Sequence, residues 1–317
     1  RTRPPRRLRC WSSGSVEDGR PQFLARGPGM CDHVVMTEFG YFGPDSLTWR
    51  IHSEPVAMVG GLRALLLQAL HPGAMATLSE VSDFREDPWA RLERTVNYVG
   101  VLSFGTRAEA DRASAHVRGV HRKLGIDDPE QLAWVHACLV DSFLSASRSA
   151  GIRLRDGEAD AYVAEQVYAA ELVGVPNEWI VRDVAELRAF LSEIRPRLRG
   201  SWQARAAARF VVAPPMPVPR RFALPARLGW TTVSSLAIGL LPGWARRMYL
   251  LPPLPGARIA TATGLRTLRG AVRTLPVQFR EGPLYREAKR RVAFTAQAAQ
   301  PTCGAVLRRP ALRRSAR

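Results

Sequence analysis

Helix-initiation signals recur along this chain and constrain its fold more than any other feature. Capping boxes, in which a capping residue precedes a glutamate by three positions, begin at Thr106 and Asp183. Asp-Pro pairs at 87–88 and 128–129 place an N-cap residue before a proline that suits the first helical turn. No segment shows the apolar–polar alternation and regular turn spacing of a sheet protein. The sequence therefore predicts an all-α fold.

Apolar periodicity extends these signals into a series of predicted helices. They cover residues 55–70, 87–102, 106–124, 128–147, 156–172, a helix from Asp183, and about 221–240 and 258–275. Gly125 is expected to end the third of these helices. The proline-rich segment 211–220 is expected to be a linker or a surface loop. We predict a single helical domain over residues 36–295.

The two ends of the chain have a different composition. Residues 1–35 are rich in Arg, Pro, Gly and Ser without periodicity, which is typical of a disordered segment or a mis-extended start. Residues 296–317 are expected to form a basic, disordered tail. Much of the net charge of +18 lies in these ends. Basic tails can bind nucleic acid or anionic lipid, but arginine almost without lysine also fits a compositional bias.

Charge and hydropathy narrow the classes of partner. The basic residues lack the interleaved aromatic residues of a single-stranded nucleic-acid site, so no nucleic-acid partner is expected. No apolar run reaches the roughly 18 residues of a membrane span, which leaves only a peripheral membrane contact open. The four cysteines include no C-x-x-C pair, so free thiols in the cytoplasm are expected.

Two consecutive predicted helices each carry a histidine on their apolar face. The stripes consist of Ala110, Ala113, Val117, Val120, His121 and Leu124 in the first helix, and of Leu132, Val135, His136, Leu139 and Phe143 in the second. A buried imidazole either bonds to backbone carbonyls or ligates a metal such as haem iron. His71 ends an earlier apolar helix, where it either bonds to the last carbonyls or adds a further ligand.

The predicted helix over residues 87–102 has two neighbouring faces. The apolar face consists of Trp89, Leu92, Val96 and Val99, and the second face consists of Arg91, Arg94, Thr95 and Tyr98. The second face is either solvated or forms the polar wall of a pocket, where guanidinium groups hold a carboxylate or polarise dioxygen. The sequence has no Gly-rich phosphate loop, no G-x-S-x-G and no H-E-x-x-H, which argues against the corresponding enzyme classes.

Five segments in this order resemble the signature of the MpaB/latex-clearing-protein family, the rubber-oxygenase-type catalytic domain. The segments are Gly60–Pro72, Ser82–Leu92, Phe104–Thr106, Val120–Arg122 and Trp134–Ser142. Each segment alone is a weak signal, and their order makes the set specific. The resemblance covers roughly residues 38–250.

The resemblance implies an all-helical fold with a globin-like core around a b-type haem. It also implies a haem-dependent oxygenase, since characterised members include enzymes that cleave isoprenoid double bonds. By motif, His121 matches the proximal iron ligand, and Arg118, Arg91 and Thr95 match polar residues near the haem. Arg94 stands where rubber oxygenases carry a lysine that can ligate the iron, so an amine-ligated closed state is not expected here.

We therefore expect a haem b-dependent oxygenase or oxidoreductase that uses dioxygen on a small apolar substrate, with an isoprenoid as one candidate. The expected catalytic residues are Arg91, Arg94 and Thr95, the expected metal ligand is His121, and the further cofactor contacts are Arg118, His136 and His71. Three alternatives stay open. These are a haem-binding or gas-sensing protein without turnover, a haem-dependent dehydrogenase or peroxidase-like enzyme, and a basic helical protein bound to nucleic acid. The oligomeric state is also open.

Overall fold

A computed structural model describes residues 39–81, 88–215 and 219–298 of the chain. The fold is all-α, as predicted: the described residues form α-helices and two 3-10 turns, with no β-strand among them. In chain order the α-helices are α1 Leu47–His52, α2 Ala57–Gln68, α3 Pro72–Val81, α4 Pro88–Phe104, α5 Arg107–Leu124, α6 Pro129–Ser149, α7 Glu158–Glu165, α8 Val167–Val173, α9 Val184–Ile194, α10 Trp202–Val212, α11 Arg220–Gly239, α12 Gly243–Met248, α13 Ala257–Arg273, α14 Val277–Arg280 and α15 Pro283–Ala298. The predicted disordered segment 1–35, nearly all of the predicted tail, and the Asp87 cap lie outside the described residues.

The local signals at the ends of α5 and α6 are confirmed. Glu109 N donates to Thr106 Oγ1 at 3.2 Å, and Thr106 N donates to the Glu109 carboxylate at 2.8 Å, which completes the capping box. Gly125 ends α5 at a φ of 65°, in the left-handed region that glycine adopts without strain. Asp128 caps α6 by accepting from Gln131 N at 3.0 Å. These caps satisfy helix-end groups within a few residues of chain, so they can be predicted from sequence.

The second predicted capping box forms only in part. Asp183 accepts from Glu186 N at 2.7 Å and caps α9. The Glu186 carboxylate, however, accepts from Arg182 N at 2.7 Å and not from Asp183 N. The reciprocal bond therefore falls one residue earlier than the motif predicts.

The single helix predicted over residues 156–172 is wrong, because the chain breaks at Gln166 into α7 and α8. Gln166 is buried and its side-chain amide donates to Thr48 Oγ1 at 2.8 Å. Glu165 accepts from the backbone N–H groups of Leu47 at 3.0 Å and Thr48 at 2.8 Å. The break thus lets two adjacent side chains hold the N-terminus of α1, which is distant in sequence.

Other boundaries differ from the prediction. The apolar helix α2 begins at Ala57 and not at Pro55, since residues 53–56 form turns. The predicted linker 211–220 is shorter, because α10 extends to Val212 and α11 begins at Arg220. Helices α1, α3, α10, α12, α14 and α15 were not predicted. Three of them are short, with six residues in α1 and in α12 and four in α14, so an apolar period cannot be recognised in them.

Helices α2 and α6 pack against each other at the centre of the fold. A Cβ atom on Gly60 would lie 3.1 Å from Ser142 O, which shows how closely the two backbones approach. At the other end, Trp134 Nε1 donates to Gln68 O at 3.3 Å, and Gln68 Nε2 donates to Val135 O at 3.1 Å. Helices α10 and α11 pack on α2, and α8 and α9 pack on α6. The pair thus forms the frame around which the remaining helices are placed.

The helices show no membrane-spanning candidate. None of those in the described ranges combines the length and the apolar character that a bilayer crossing requires.

Candidate functional site

A cavity of about 520 Å³ lies beside the central helix pair and is partly open to solvent. Helices α2, α4, α5, α6, α10 and α11 all contribute to its walls, which are mainly apolar. This volume is in the range of ligand and cofactor pockets, roughly 300–1,000 Å³. Five of the seven site residues predicted from sequence line the cavity: Arg91, Arg94, Thr95, His121 and His136.

His121 lines the cavity from the last turn of α5, together with Val117 and Leu124. Its Nδ1 atom is buried and has no hydrogen-bond partner among the described residues. Burial lowers the pKa of His121, although Asp127 acts in the opposite direction. The imidazole is therefore neutral at pH 7 and keeps a lone pair that can bind a metal. The predicted stripe is only partly right, since Val120 points outward and is 38% exposed.

His136 lines the same cavity from α6. Every member of its predicted stripe, namely Leu132, Val135, His136, Leu139 and Phe143, contributes to the cavity wall. Burial lowers the pKa of His136 to about 4, so this imidazole is also neutral at pH 7. The cavity therefore has two neutral imidazoles, one from each of two consecutive helices.

A third histidine, His52, lines the cavity and was not predicted from the sequence. His52 ends α1, with Nδ1 2.7 Å from Ser103 Oγ and Nε2 2.9 Å from Tyr162 Oη. Burial lowers the pKa of His52 to about 3. Because both ring nitrogens have protein partners, His52 is held neutral and fixed in orientation. The sequence held no local signal for it, since its partners lie 51 and 110 residues away.

These buried histidines should make the folded chain sensitive to mild acid. A pKa of about 3 for His52 and about 4 for His136 means that the unfolded chain binds protons below pH 6.5 that the folded chain does not. Stability should therefore fall as the pH drops from about 6.5 to about 5, by up to about 1.4 kcal/mol per pH unit for each histidine. The free energy of unfolding can be measured by chemical denaturation at each pH. His136→Leu should reduce its dependence on pH by nearly the contribution of one histidine, up to about 1.4 kcal/mol per pH unit. An unchanged slope would contradict the burial of a neutral His136.

The arginine-bearing face of α4 forms part of the cavity wall. Arg91, Arg94 and Thr95 line the cavity, whereas Val96 from the predicted apolar face is 47% exposed. Trp89, Leu92 and Val99 of the predicted apolar face also line the cavity, so Val96 is the one member of that face that does not. Thr95 Oγ1 donates to Arg91 O at 3.0 Å, within the helix.

Arg91 and Arg94 give the cavity an uncompensated positive charge. Both keep an exposed surface, and neither forms an ion pair within the described part of the chain. Burial, and then the neighbouring Arg94, lower the pKa of Arg91, which still remains protonated at neutral pH. No Asp or Glu lines the cavity among the described residues. An apolar site with two unpaired guanidinium groups at its edge suits a ligand that combines apolar surface with carboxylates.

The remaining two predicted residues, His71 and Arg118, do not line the cavity. His71 accepts from Ala74 N at Nδ1 and lies 3.2 Å from Glu130 at Nε2, so both of its nitrogens have partners. Arg118 donates to Leu172 O and packs against Gly174 at the contact of α5 with α8. Their predicted cofactor contacts thus have no support from the placement of these side chains.

The residues that line the cavity fit a haem group. A neutral imidazole with an unpartnered nitrogen, His121, lines an apolar cavity whose edge carries two arginines. The described residues contain no cluster of three or more His, Cys, Asp or Glu side chains that could hold a bare metal ion. A cofactor that brings its own equatorial ligands needs only one or two protein ligands.

The comparisons with known proteins gave one family match. A family model described as "ER-bound oxygenase mpaB/B'/Rubber oxygenase, catalytic domain" matches residues 49–275. Neither the curated proteins nor the solved structures gave a match to the chain. The matched range contains all the residues that frame the cavity except Phe42.

Proposed function

This chain belongs to the family of mpaB/B′ and rubber oxygenase catalytic domains, and from that premise we propose that it is a haem b-dependent oxygenase acting on an apolar substrate with dioxygen. The observation that carries the haem assignment is that the neutral imidazole of His121 lines an apolar cavity edged by Arg91 and Arg94, neither of which forms an ion pair within the described residues. The observation that carries the substrate class is the apolar wall of that cavity.

The proposal gives each cavity residue a role toward the cofactor. His121 would hold the iron, because its imidazole lines the cavity, is neutral at pH 7 and forms no hydrogen bond to a described residue. Arg91 and Arg94 would bind the carboxylates of the haem and offset their charge. When bound, haem supplies the electron-transfer chemistry with dioxygen that amino-acid side chains lack. The globin-like arrangement stays a prediction.

The other cavity residues would control orientation, water and protons. The apolar side chains of α2, α6 and α10 would hold an apolar substrate and exclude water from the reacting atoms. His52 would not exchange protons near pH 7, because its pKa is about 3 and both nitrogens are bonded. Thr95 offers a hydroxyl whose proton is already donated to Arg91 O, so it can accept a hydrogen bond from a ligand.

A haem assay on the purified full chain tests the proposal. Protein produced with added iron should yield a b-type pyridine haemochrome at about one haem per chain and a Soret band. Reduced protein with an isoprenoid or another apolar candidate should then consume dioxygen. A chain that neither contains haem nor takes it up on reconstitution would overturn the proposal. Haem binding without substrate-dependent oxygen uptake over a panel of apolar compounds would favour the non-enzymatic alternative.

A further inference from the structure

Acidic residues are absent from a long part of the chain. Residues 194–280 contain fifteen arginines, no lysine and no Asp or Glu, although the whole chain has 28 acidic residues. This segment alone carries a charge of +15, out of a total of +18. It includes α10 to α14 in full. A few of its arginines are paired with carboxylates of other segments, such as Arg269 and Arg273 with Glu54. The excess charge is thus carried by the folded domain and is not confined to the chain ends.

The first half of α11, residues 221–229, is one of the exposed apolar parts of this segment. Phe222 is 52% exposed, Leu224 67% and Leu228 61%. None of residues 221–229 is buried, and the first buried residue of α11 is Ser234. We call residues 221–229 the α11 tip. A helix that belongs to a water-soluble surface normally buries its leucines and exposes its charges, so this arrangement needs an explanation.

The tip has the residue pattern of an interfacial helix. Arg221, Leu224 and Leu228 are spaced i, i+3 and i+7, which places them on one stripe of the helix. Trp230 follows Leu228 by two residues, so it points to nearly the opposite side of the helix. Arg227 is exposed as well, and the guanidinium carbon of Arg221 lies over the Phe222 ring, 4.9 Å from its centroid. The outward stripe therefore combines aliphatic side chains with cations.

The tip lies next to the cavity. Trp230 lines the cavity, and its ring centroid is 4.9 Å from that of Trp89 on α4. Trp230 Nε1 donates to Val211 O at 3.0 Å, which anchors α11 at this position to the end of α10. Residues on the N-terminal side of Trp230 project outward, and Trp230 itself faces inward. A surface that contacts the tip would therefore lie within one or two helical turns of the cavity wall.

We propose that the α11 tip docks on an anionic phospholipid bilayer, with Leu224 and Leu228 entering the acyl-chain boundary while Arg221 and Arg227 bind headgroup phosphates. The exposed leucines gain apolar burial in a bilayer, and the acid-free segment removes the repulsion that carboxylates would meet at an anionic surface. The long arginine side chains can reach headgroups while their stems stay beside the leucines. The bilayer then also becomes a source of apolar molecules for the cavity, a consequence that rests on the proposed function.

Nucleic acid explains these observations less well. Phosphate contacts would use the arginines, but two protruding aliphatic side chains add nothing to a phosphate backbone or to the stacking of bases. A bilayer satisfies both the leucines and the arginines. Nucleic acid is therefore kept as an outcome of the test.

Vesicle co-sedimentation of the full chain tests the proposal. The wild type should partition onto vesicles of equimolar phosphatidylcholine and phosphatidylglycerol, and about tenfold or more weakly onto pure phosphatidylcholine. Leu224→Ser combined with Leu228→Ser should lower partitioning onto the anionic vesicles about tenfold. Because this double variant keeps every charge, attraction through other arginines stays constant. The matched control is Phe294→Ser on α15, which removes a side chain that is 65% exposed but lies outside the acid-free segment.

Each outcome decides the proposal. Loss of binding in the double variant, with the control within about twofold of the wild type and circular dichroism unchanged in both, supports it. Equal binding by wild type and double variant, or equal loss in the control, would overturn it. So would equal partitioning onto both kinds of vesicle, or release of the wild type from vesicles by duplex DNA. The assay needs neither haem nor turnover, so its failure leaves the proposed oxygenase function standing, and a missing Soret band leaves the docking surface standing.

Discussion

His121→Ala is expected to abolish haem retention, while His136→Ala is expected to keep it. Both side chains line the cavity and both are neutral at pH 7. Neither imidazole forms a hydrogen bond to a described residue, so the hydrogen bonds do not rank them. The choice of His121 rests on the resemblance of residues 120–122 to the family motif. Loss of the iron ligand should weaken haem binding by at least about a hundredfold, since even outer contacts of metal ligands typically contribute ten- to a hundredfold.

The measurement is haem per chain after gel filtration, with the Soret absorbance as a second readout. His116→Ala is a matched control, because His116 is an exposed histidine on the same helix and does not line the cavity. Added imidazole should restore a low-spin spectrum to a His121→Gly variant by occupying the vacated volume. Haem loss in His136→Ala with retention in His121→Ala would reverse the assignment of the ligand.

Arg63→Met is expected to lower the free energy of unfolding by about 3–5 kcal/mol, the usual cost of breaking a buried ion pair from one side. Arg63 is only 4% exposed although it lies in the apolar helix α2. Its guanidinium bonds to Leu240 O at 3.0 Å, to Ser142 Oγ at 2.6 Å and to the Asp141 carboxylate at 2.8 Å. Replacement by methionine leaves these three acceptors without their donor. It also removes the hydrogen bonds that join α2 to α6 and to the end of α11.

Urea denaturation followed by circular dichroism measures this effect. Arg290→Met on α15 is the control, since Arg290 is exposed, and its stability should stay within about 0.5 kcal/mol of the wild type. Adding Asp141→Asn to Arg63→Met should recover part of the loss, because the unpaired carboxylate is then removed. A loss below about 1 kcal/mol in Arg63→Met would show that the pair and its hydrogen bonds contribute little net stability.

The site was predictable where its residues share a regular helix. Every residue of the predicted stripe of α6 that carries His136 lines the cavity. This stripe was predictable because α6 is long and its apolar positions repeat every three or four residues. The stripe of α5 was read correctly at Val117, His121 and Leu124 but not at Val120. A helix at the edge of the fold buries a narrower face than its apolar residues cover. Periodicity therefore locates the inward side to within about a residue or two and no better.

The part of α4 that lines the cavity was not predictable in this way. Its arginine face and its apolar face are adjacent, and residues of both faces line the cavity, whereas Val96 of the apolar face is exposed. A cavity wall that includes polar groups is consistent with a functional pocket, because such a pocket breaks the ordinary pattern of burial.

The sequence by itself determined the class of fold and the ends of helices such as α5 that carry their own capping residues. Caps such as Thr106 with Glu109, and the left-handed Gly125, satisfy their own helix ends and so require no distant partner. Only the tertiary structure decided the partners of buried polar groups. Arg63 bonds to a residue 177 positions away and His52 to one 110 positions away. A buried polar side chain is stable only where such acceptors converge, and their convergence depends on how all the helices pack together.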